Sequence, residues 1–314
     1  MTRFLKRIAK RSLEKVADWM GIREQLTDVQ KRLTDTQTQL VELNQLCHNI
    51  QILLEGAPDG LPIPPLRLRA LTWPISADLR IYFRDDLNNA QYMLDMLTRH
   101  GIKTENLRAI LDFGCGNGRA IRQFHSSIKT KVNAKFYGTD INREQIAWCK
   151  RNLSFAEFQV NGPNPPLSYG DEQFDFIYNF SVFTHFSEPQ QLLWINELSR
   201  VLRPGGCLLL STCGESYLHG LSEVEKTIYR SGQLVVRDAE CAGIPSVYGN
   251  CHVVHPLAWV KEKMAKGFEV LEFVAGNYSK GGMDFYLLRK PTHAVVHTDC
   301  RIQPGPDSCV KNPL

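Results

Sequence analysis

The chain has 314 residues, 43% of them hydrophobic, and a formal net charge of +4. That length suits one sizeable domain with an appendage. No apolar run approaches the roughly 20 residues of a membrane span, the N-terminus lacks the apolar core of a secretory signal, and nine cysteines without a Cys-x-x-Cys pair argue against a disulfide framework and for a reducing, cytoplasmic setting.

Residues 1–20 hold the charge excess: Arg3, Lys6, Arg7, Lys10, Arg11 and Lys15 stand against Glu14 and Asp18, and the rest of the chain is formally neutral. On a helical wheel Phe4, Leu5, Ile8, Leu13, Val16, Trp19 and Met20 fall on one half and the basic residues on the other. This is the pattern of an interfacial helix drawn to an anionic membrane surface, or of a helix packed on its own protein. Outside this segment no basic surface marks a nucleic-acid binder.

Residues 21–56 carry a heptad. Leu26, Leu33, Leu40, Cys47 and Leu54 share one position; Val29, Thr36, Leu43 and Ile50 share the other. The flanking positions are mostly Gln. Self-association of residues 26–54 as a coiled coil is the preferred expectation, and a long helix lying on the main domain is the alternative. Gly56 to Pro65 breaks helices and marks a linker. The stretch to about residue 100 looks helical, with Leu87, Met93, Leu94 and Leu97 as core positions, so 57–100 reads as linker and helical cap.

The domain at 101–290 opens with the most informative stretch, Ala109-Ile-Leu-Asp-Phe-Gly-Cys-Gly-Asn-Gly-Arg119. An apolar strand runs into Gly114, Gly116 and Gly118, and a helix follows. Glycines let the backbone approach a ligand without Cβ obstruction, and the free N–H groups of the helix point at the same spot. The dinucleotide fingerprint G-x-G-x-x-G would need its third glycine at 119, which is Arg119. A second strand, Lys135 to Asp140, ends in an acid 22 residues beyond Gly118, suited to the two hydroxyls of a cofactor ribose. Further strands follow at Glu157–Val160, ending at Asn161, at Phe174–Phe180, and at 206–212 after the Pro204-Gly-Gly turn. The last two strands are expected at Gly267–Val274 and Met283–Leu288. Residues 291–314 read as a disordered tail. Cys251-His252-x-x-His255 is an isolated cluster without a partner cluster, so no metal is expected.

The run Asp112-x-Gly-x-Gly-x-Gly118, Asp140, Phe174–Phe186 and Arg200-Val-Leu-Arg-Pro-Gly-Gly206 resembles the class I S-adenosylmethionine (SAM)-dependent methyltransferases, closely over residues 105–213 and loosely from Pro65 to Lys290. The resemblance implies an α/β fold: a seven-stranded, mainly parallel sheet, here with an N-terminal helical and coiled-coil extension. It implies SAM as cofactor. Gly114, Gly116 and Gly118 would approach the methionine moiety and ribose, Asp112 the amino end, and Asp140 the ribose hydroxyls. Ile141 would lie on the adenine, Asn161 near its amino group, and Phe180 and Ser181 where cofactor meets acceptor. Tyr82, Phe83 and Arg84 fall in the region that caps the pocket in relatives, and residues 214–256 where relatives build the substrate site. His185 and His255 are the candidate bases for a hydroxyl acceptor. The stretch Gly281-Gly-Met-Asp-Phe-Tyr286 resembles the final strand of a subgroup found beside glycan-modifying enzymes, with Met283 where Gln is common. A sugar or surface-glycan hydroxyl is therefore the first acceptor expected. A small-metabolite or N-directed methyltransferase, and a non-catalytic SAM-binding scaffold, are left open.

Overall fold

The computed structural model describes residues 2–19, 21–72, 78–130, 132–238, 251–276 and 282–292. All seven expected strands form, and a short hairpin is added to them. They run β1 (Ala109–Phe113), β2 (Lys135–Asp140), β3 (Ala156–Val160), β4 (Phe174–Tyr178), β5 (Leu202–Cys213), β6 (Val235–Asp238), β7 (Cys251–Val254), β8 (Glu269–Val274) and β9 (Met283–Arg289). The β6–β7 hairpin lies inside the 214–256 segment and was not expected. Its strands are four residues each, too short to show an alternation in the sequence. The expected tail at 291–314 lies almost wholly outside the described residues.

The chain divides into two compact units that alternate along it. The first comprises residues 1–104, 115–132 and 142–160; the second comprises 105–114, 133–141 and 161–314.

In the first unit, α1 (Thr2–Trp19) and α2 (Ile22–Glu55) are separated by Gly21, whose φ of 66° is a left-handed turn. After α3 (Leu66–Thr72), helix α4 (Leu79–Arg99) starts on Asp78, whose side chain accepts the N–H of Arg80. It buries Ala90, Met93, Met96 and Leu97 at helical spacing; the side chain of Leu87 lies outside the described residues. Helices α5 (Arg119–Ile128) and α6 (Arg143–Asn152) follow. The Gly56–Pro65 segment is not a free linker. Arg122 of α5, fully buried, donates to both carboxylate oxygens of Asp59 at 2.6 Å and to the carbonyls of Leu61 and Pro62. The segment is thus a strap, pinned by a bidentate ion pair and by Ala57 and Ile63 against Leu79, Tyr82 and Phe83.

In the second unit the strands β2-β1-β4-β5 are parallel neighbours. Strand β9 lies antiparallel to β5 from Cys207 to Cys213, and β8 antiparallel to β9. The added β7 meets β5 through the single pair Cys213–Val254 and carries β6 antiparallel. Every residue of β4 is buried, as expected for a strand covered on both faces. Helix α7 (Glu188–Val201) opens with a capping box between Ser187 and Gln190. It sinks Trp194, Ile195, Leu198 and Val201 into a core with Leu111, Phe113, Leu208, Leu210 and Tyr286. The Pro-Gly-Gly stretch, expected as a turn, is drawn into the start of β5. Gly205 donates to the carbonyl of Lys290 at 2.8 Å and Lys290 to that of Gly206 at 2.9 Å, so these residues pair with the end of β9.

Candidate active site

In an open parallel sheet, ligands bind beyond the carboxyl ends of the strands where the order reverses. In the second unit that point lies between β1, which continues to β2 on one side, and β4 on the other. Asp112, near the end of β1, is buried and registers with Gly138 of β2 and Tyr178 of β4. Gly114 follows at φ 80° and donates to the carbonyl of Thr139 at 2.8 Å. A Cβ there would run into the side chain of Val182. Only glycine fits both that conformation and that space.

Asp140 ends β2 and is buried; Ile141, the next residue, is 43% exposed. An acid at the rim followed by an exposed aliphatic side chain suits a ribose and a purine face. Asn161 is held in place: its N–H donates to the carbonyl of Asp140 at 3.2 Å, and its side-chain oxygen accepts the hydroxyl of Thr139 at 3.0 Å. That oxygen is therefore partly engaged in fixing the rim.

Beyond β4 the backbone is strained. Ser181 is exposed with φ 59°, an uncommon conformation for a residue with a side chain. The turn is stabilised through Ser211, whose hydroxyl accepts the N–H of Ser181 at 2.9 Å and donates to the carbonyl of Asn179 at 3.1 Å. Phe180 sits between Tyr178 and Phe285, with ring centroids 5.8 and 6.0 Å away. His185 ends a short 3₁₀ turn, Phe183–His185, and is half-buried.

The two expected bases part company here. His255 is fully buried, hydrogen-bonded to Gln191 at 3.0 Å through Nε2 and to the carbonyl of Cys213 through its backbone N–H. Burial pushes its pKa down to about 3. It is an interior histidine and not a group at a cleft mouth, which corrects the expectation drawn from its position at the end of the 214–256 segment. His252, not expected as a base, is half-buried, with Nε2 3.8 Å from Cys213 Sγ. Its pKa falls to about 4, through burial first, then through the charges of His185 and Arg237. His252 and His185 thus lie within electrostatic reach of each other. The sequence signal for this was the Cys251-His252-x-x-His255 cluster, whose two histidines diverge: one meets Cys213, the other Gln191. Asp284, at the same end of the sheet, is buried opposite Thr212 and accepts the N–H of Gly276 at 2.8 Å; burial holds its carboxyl above the usual range.

The glycine loop continues into the first unit. Gly116 and Gly118 have φ of 53° and 78°, and a Cβ at Gly118 would lie 2.5 Å from Leu153 Cδ1. Asn117 between them is fully buried. It accepts the hydroxyl of Tyr82 at 2.9 Å and donates to the carbonyl of Leu68 at 3.0 Å. Tyr82 and Phe83 are buried packing residues behind the loop; the side chain of Arg84 lies outside the described residues.

A parallel sheet whose first strand-to-helix turn is a glycine loop, with an acid ending the next strand, defines a domain for a nucleoside-bearing cofactor. Residues 110–206 match the family model described as a methyltransferase domain. The chain is similar to the fatty-acid O-methyltransferase of Mycolicibacterium smegmatis, at 30% identity over 135 residues, 42% of this chain and 47% of that protein. It is also similar to phthiotriol/phenolphthiotriol dimycocerosates methyltransferase 1 of Mycobacterium ulcerans, at 31% over 42% of this chain and 47% of the other. The mitochondrial ubiquinone biosynthesis O-methyltransferase of Dictyostelium discoideum is 27% identical over 37% of this chain and 38% of the other. The chain spans about half the length of these relatives or less. Residues 110–206 are thus a methyltransferase domain, with S-adenosylmethionine as its cofactor.

Proposed function

We propose that the chain catalyses methyl transfer from SAM to an oxygen of an apolar, lipid-like acceptor. The observation that carries the methyl-transfer reading is the Asp112–Gly114 turn closed against Val182, with Asp140 and Ile141 beside it at one sheet end. SAM supplies a methyl group on a positively charged sulfonium, which transfer neutralises. The protein's contribution is alignment and proton removal; alignment alone is worth on the order of 7–11 kcal/mol in good cases.

In this reading Asp140 accepts the ribose hydroxyls, Ile141 lies against the adenine, and Asn161 keeps that rim in position. Asp112 orients the amino end of the cofactor. Gly114, Gly116 and Gly118 admit the backbone close to it. Phe180 and Ser181 border the acceptor. His185 takes the acceptor's proton, and the neutral His252 near it keeps a second positive charge away at pH 7.

The acceptor class rests on the relatives named above, whose names refer to a fatty acid, to ubiquinone biosynthesis and to phthiotriol. None of those three names a sugar, so the glycan hydroxyl expected from the Gly281–Tyr286 stretch gives way to an apolar acceptor. Helix α1 fits this reading. Leu13 and Val16 are 70% and 50% exposed among exposed Arg7, Lys10, Arg11 and Lys15, a composition suited to an anionic lipid surface. No described helix is long and apolar enough to cross a membrane.

Label transfer from methyl-labelled SAM tests the reading, with fatty acids, quinols, sugars and amines as acceptors. Label in an apolar O-methyl product supports it. Label in sugars or amines alone overturns the acceptor class, and no label in any acceptor overturns the activity.

A further inference from the structure

The long helix α2 bears an apolar seam that the described residues leave uncovered. Written as a heptad from Leu26, the a positions are Leu26, Leu33, Leu40, Cys47 and Leu54, and the d positions Val29, Thr36, Leu43 and Ile50. No residue of α2 is buried. The aliphatic a and d side chains are between 46% and 82% exposed, at Ile50 and Leu54 respectively.

The helix does touch the rest of the first unit, through the opposite face. Gln45 Nε2 donates to Asp78 Oδ2 at 2.8 Å, Asn49 Oδ1 accepts the N–H of Leu79 at 2.8 Å, and Ile52 packs on Leu79, Tyr82 and Phe83. Gln45 and Ile52 are f positions and Asn49 is a c position. At 100° per residue these three centre about 160–180° from the a/d seam. A helix lying on its own domain by its apolar stripe would bury the seam. This one docks by the opposite face, through Gln45, Asn49 and Ile52, and turns the stripe outward.

We infer that residues 26–54 pair with the same residues of further copies of this chain, parallel and in register. The flanking positions favour this occupant. In a parallel pair each g residue meets the e residue five further on in the partner. The pairs are then Gln25 with Gln30, Arg32 with Gln37, Gln39 with Asn44, and Leu46 with Gln51. None sets like charges together, and two are amide pairs able to hydrogen-bond. Parallel register also stacks the weak layers on themselves, Thr36 with Thr36 and Cys47 with Cys47. An antiparallel pair packs a against d and would set Cys47 level with Thr36 instead, so only the parallel register brings Cys47 to Cys47. The acids Asp28, Asp35 and Glu42 all fall at c, off the interface. Leu at a with Val29 and Ile50 at d leans toward more than two strands. The assignment does not depend on the methyltransferase reading.

The test uses the full chain. Its mass in solution, measured by light scattering at tens of micromolar, is expected to be at least twice the 35.8 kDa of one chain. Leu33→Glu with Leu40→Glu is expected to give a monomer that keeps wild-type SAM affinity, because both residues are exposed. Lys31→Gln, at an f position, is expected to leave the mass unchanged. A short bismaleimide is expected to join Cys47 to Cys47 of another copy, identified as a linked peptide and lost in Cys47→Ser. A wild-type monomer, or an oligomer that survives the double substitution, would overturn the seam. An oligomer without the Cys47–Cys47 link would overturn the parallel register. SAM binding reports separately on the catalytic domain, so failure here leaves the proposed function standing.

Discussion

Asp140 ends the second strand as a buried carboxylate, and in the proposed reading it accepts the ribose hydroxyls of SAM. A hydrogen bond to a charged group is worth about 1.5–3 kcal/mol, so Asp140→Ala is expected to weaken SAM binding by roughly 10- to 100-fold in calorimetry. Tyr82 donates to Asn117 inside the glycine loop, and in the proposed reading it positions that loop. Tyr82→Phe removes one hydrogen bond at about 1 kcal/mol, a several-fold rise in the SAM dissociation constant with little change in turnover at saturation. His185→Ala is expected to lower turnover far more than SAM affinity; unchanged turnover would remove it as the base. His252 and His255 together set a pH dependence of stability. Both folded pKa values lie below the ordinary 6.5, at about 4 for His252 and about 3 for His255. Below pH 6.5 the unfolded chain takes up protons that the native state refuses, so stability falls with pH down to those values. Thermal melts should decline from pH 6.5 toward 4, and the slope should flatten in His255→Gln. A melt independent of pH over that window would contradict this assignment.

At the scale of elements, the parallel strands were legible because buried strands between glycine-rich turns write short apolar runs in the sequence: Ala109–Phe113 and Phe174–Tyr178 are examples. The same is true of the glycine loop, whose backbone demands leave few residue choices. Long-range partners were not legible. Arg122 and Asp59 are 63 positions apart, and nothing local in Gly56–Pro65 distinguishes a pinned strap from a linker. Likewise His252 and His255 share a motif, yet strand β7 and the turn after it send them to different neighbours. Removing one partner of a buried ion pair costs about 3–5 kcal/mol, so Arg122→Ala should lower the melting temperature by many degrees. A shift no larger than that of an exposed substitution such as Arg32→Ala would show that the strap is not held by this pair.

For the whole molecule, the sequence divides labour by composition. The charge excess sits in residues 1–20, the outward heptad in α2, and the cofactor chemistry after residue 109. The donor was readable because the glycine loop and the acid ending the second strand recur at a spacing set by the shape of the cofactor. The acceptor was not, because it is recognised by side chains that vary with the substrate, and the one tail motif pointing to sugars was incomplete at Met283. In the proposed function this fold binds SAM and passes on its methyl group. Calorimetry of the full chain with SAM, its demethylated product and NAD tests it most directly. SAM and the demethylated product are both expected to bind, and Asp140→Ala to weaken both at least tenfold. Binding of NAD alone, or SAM affinity unchanged by Asp140→Ala, would contradict it.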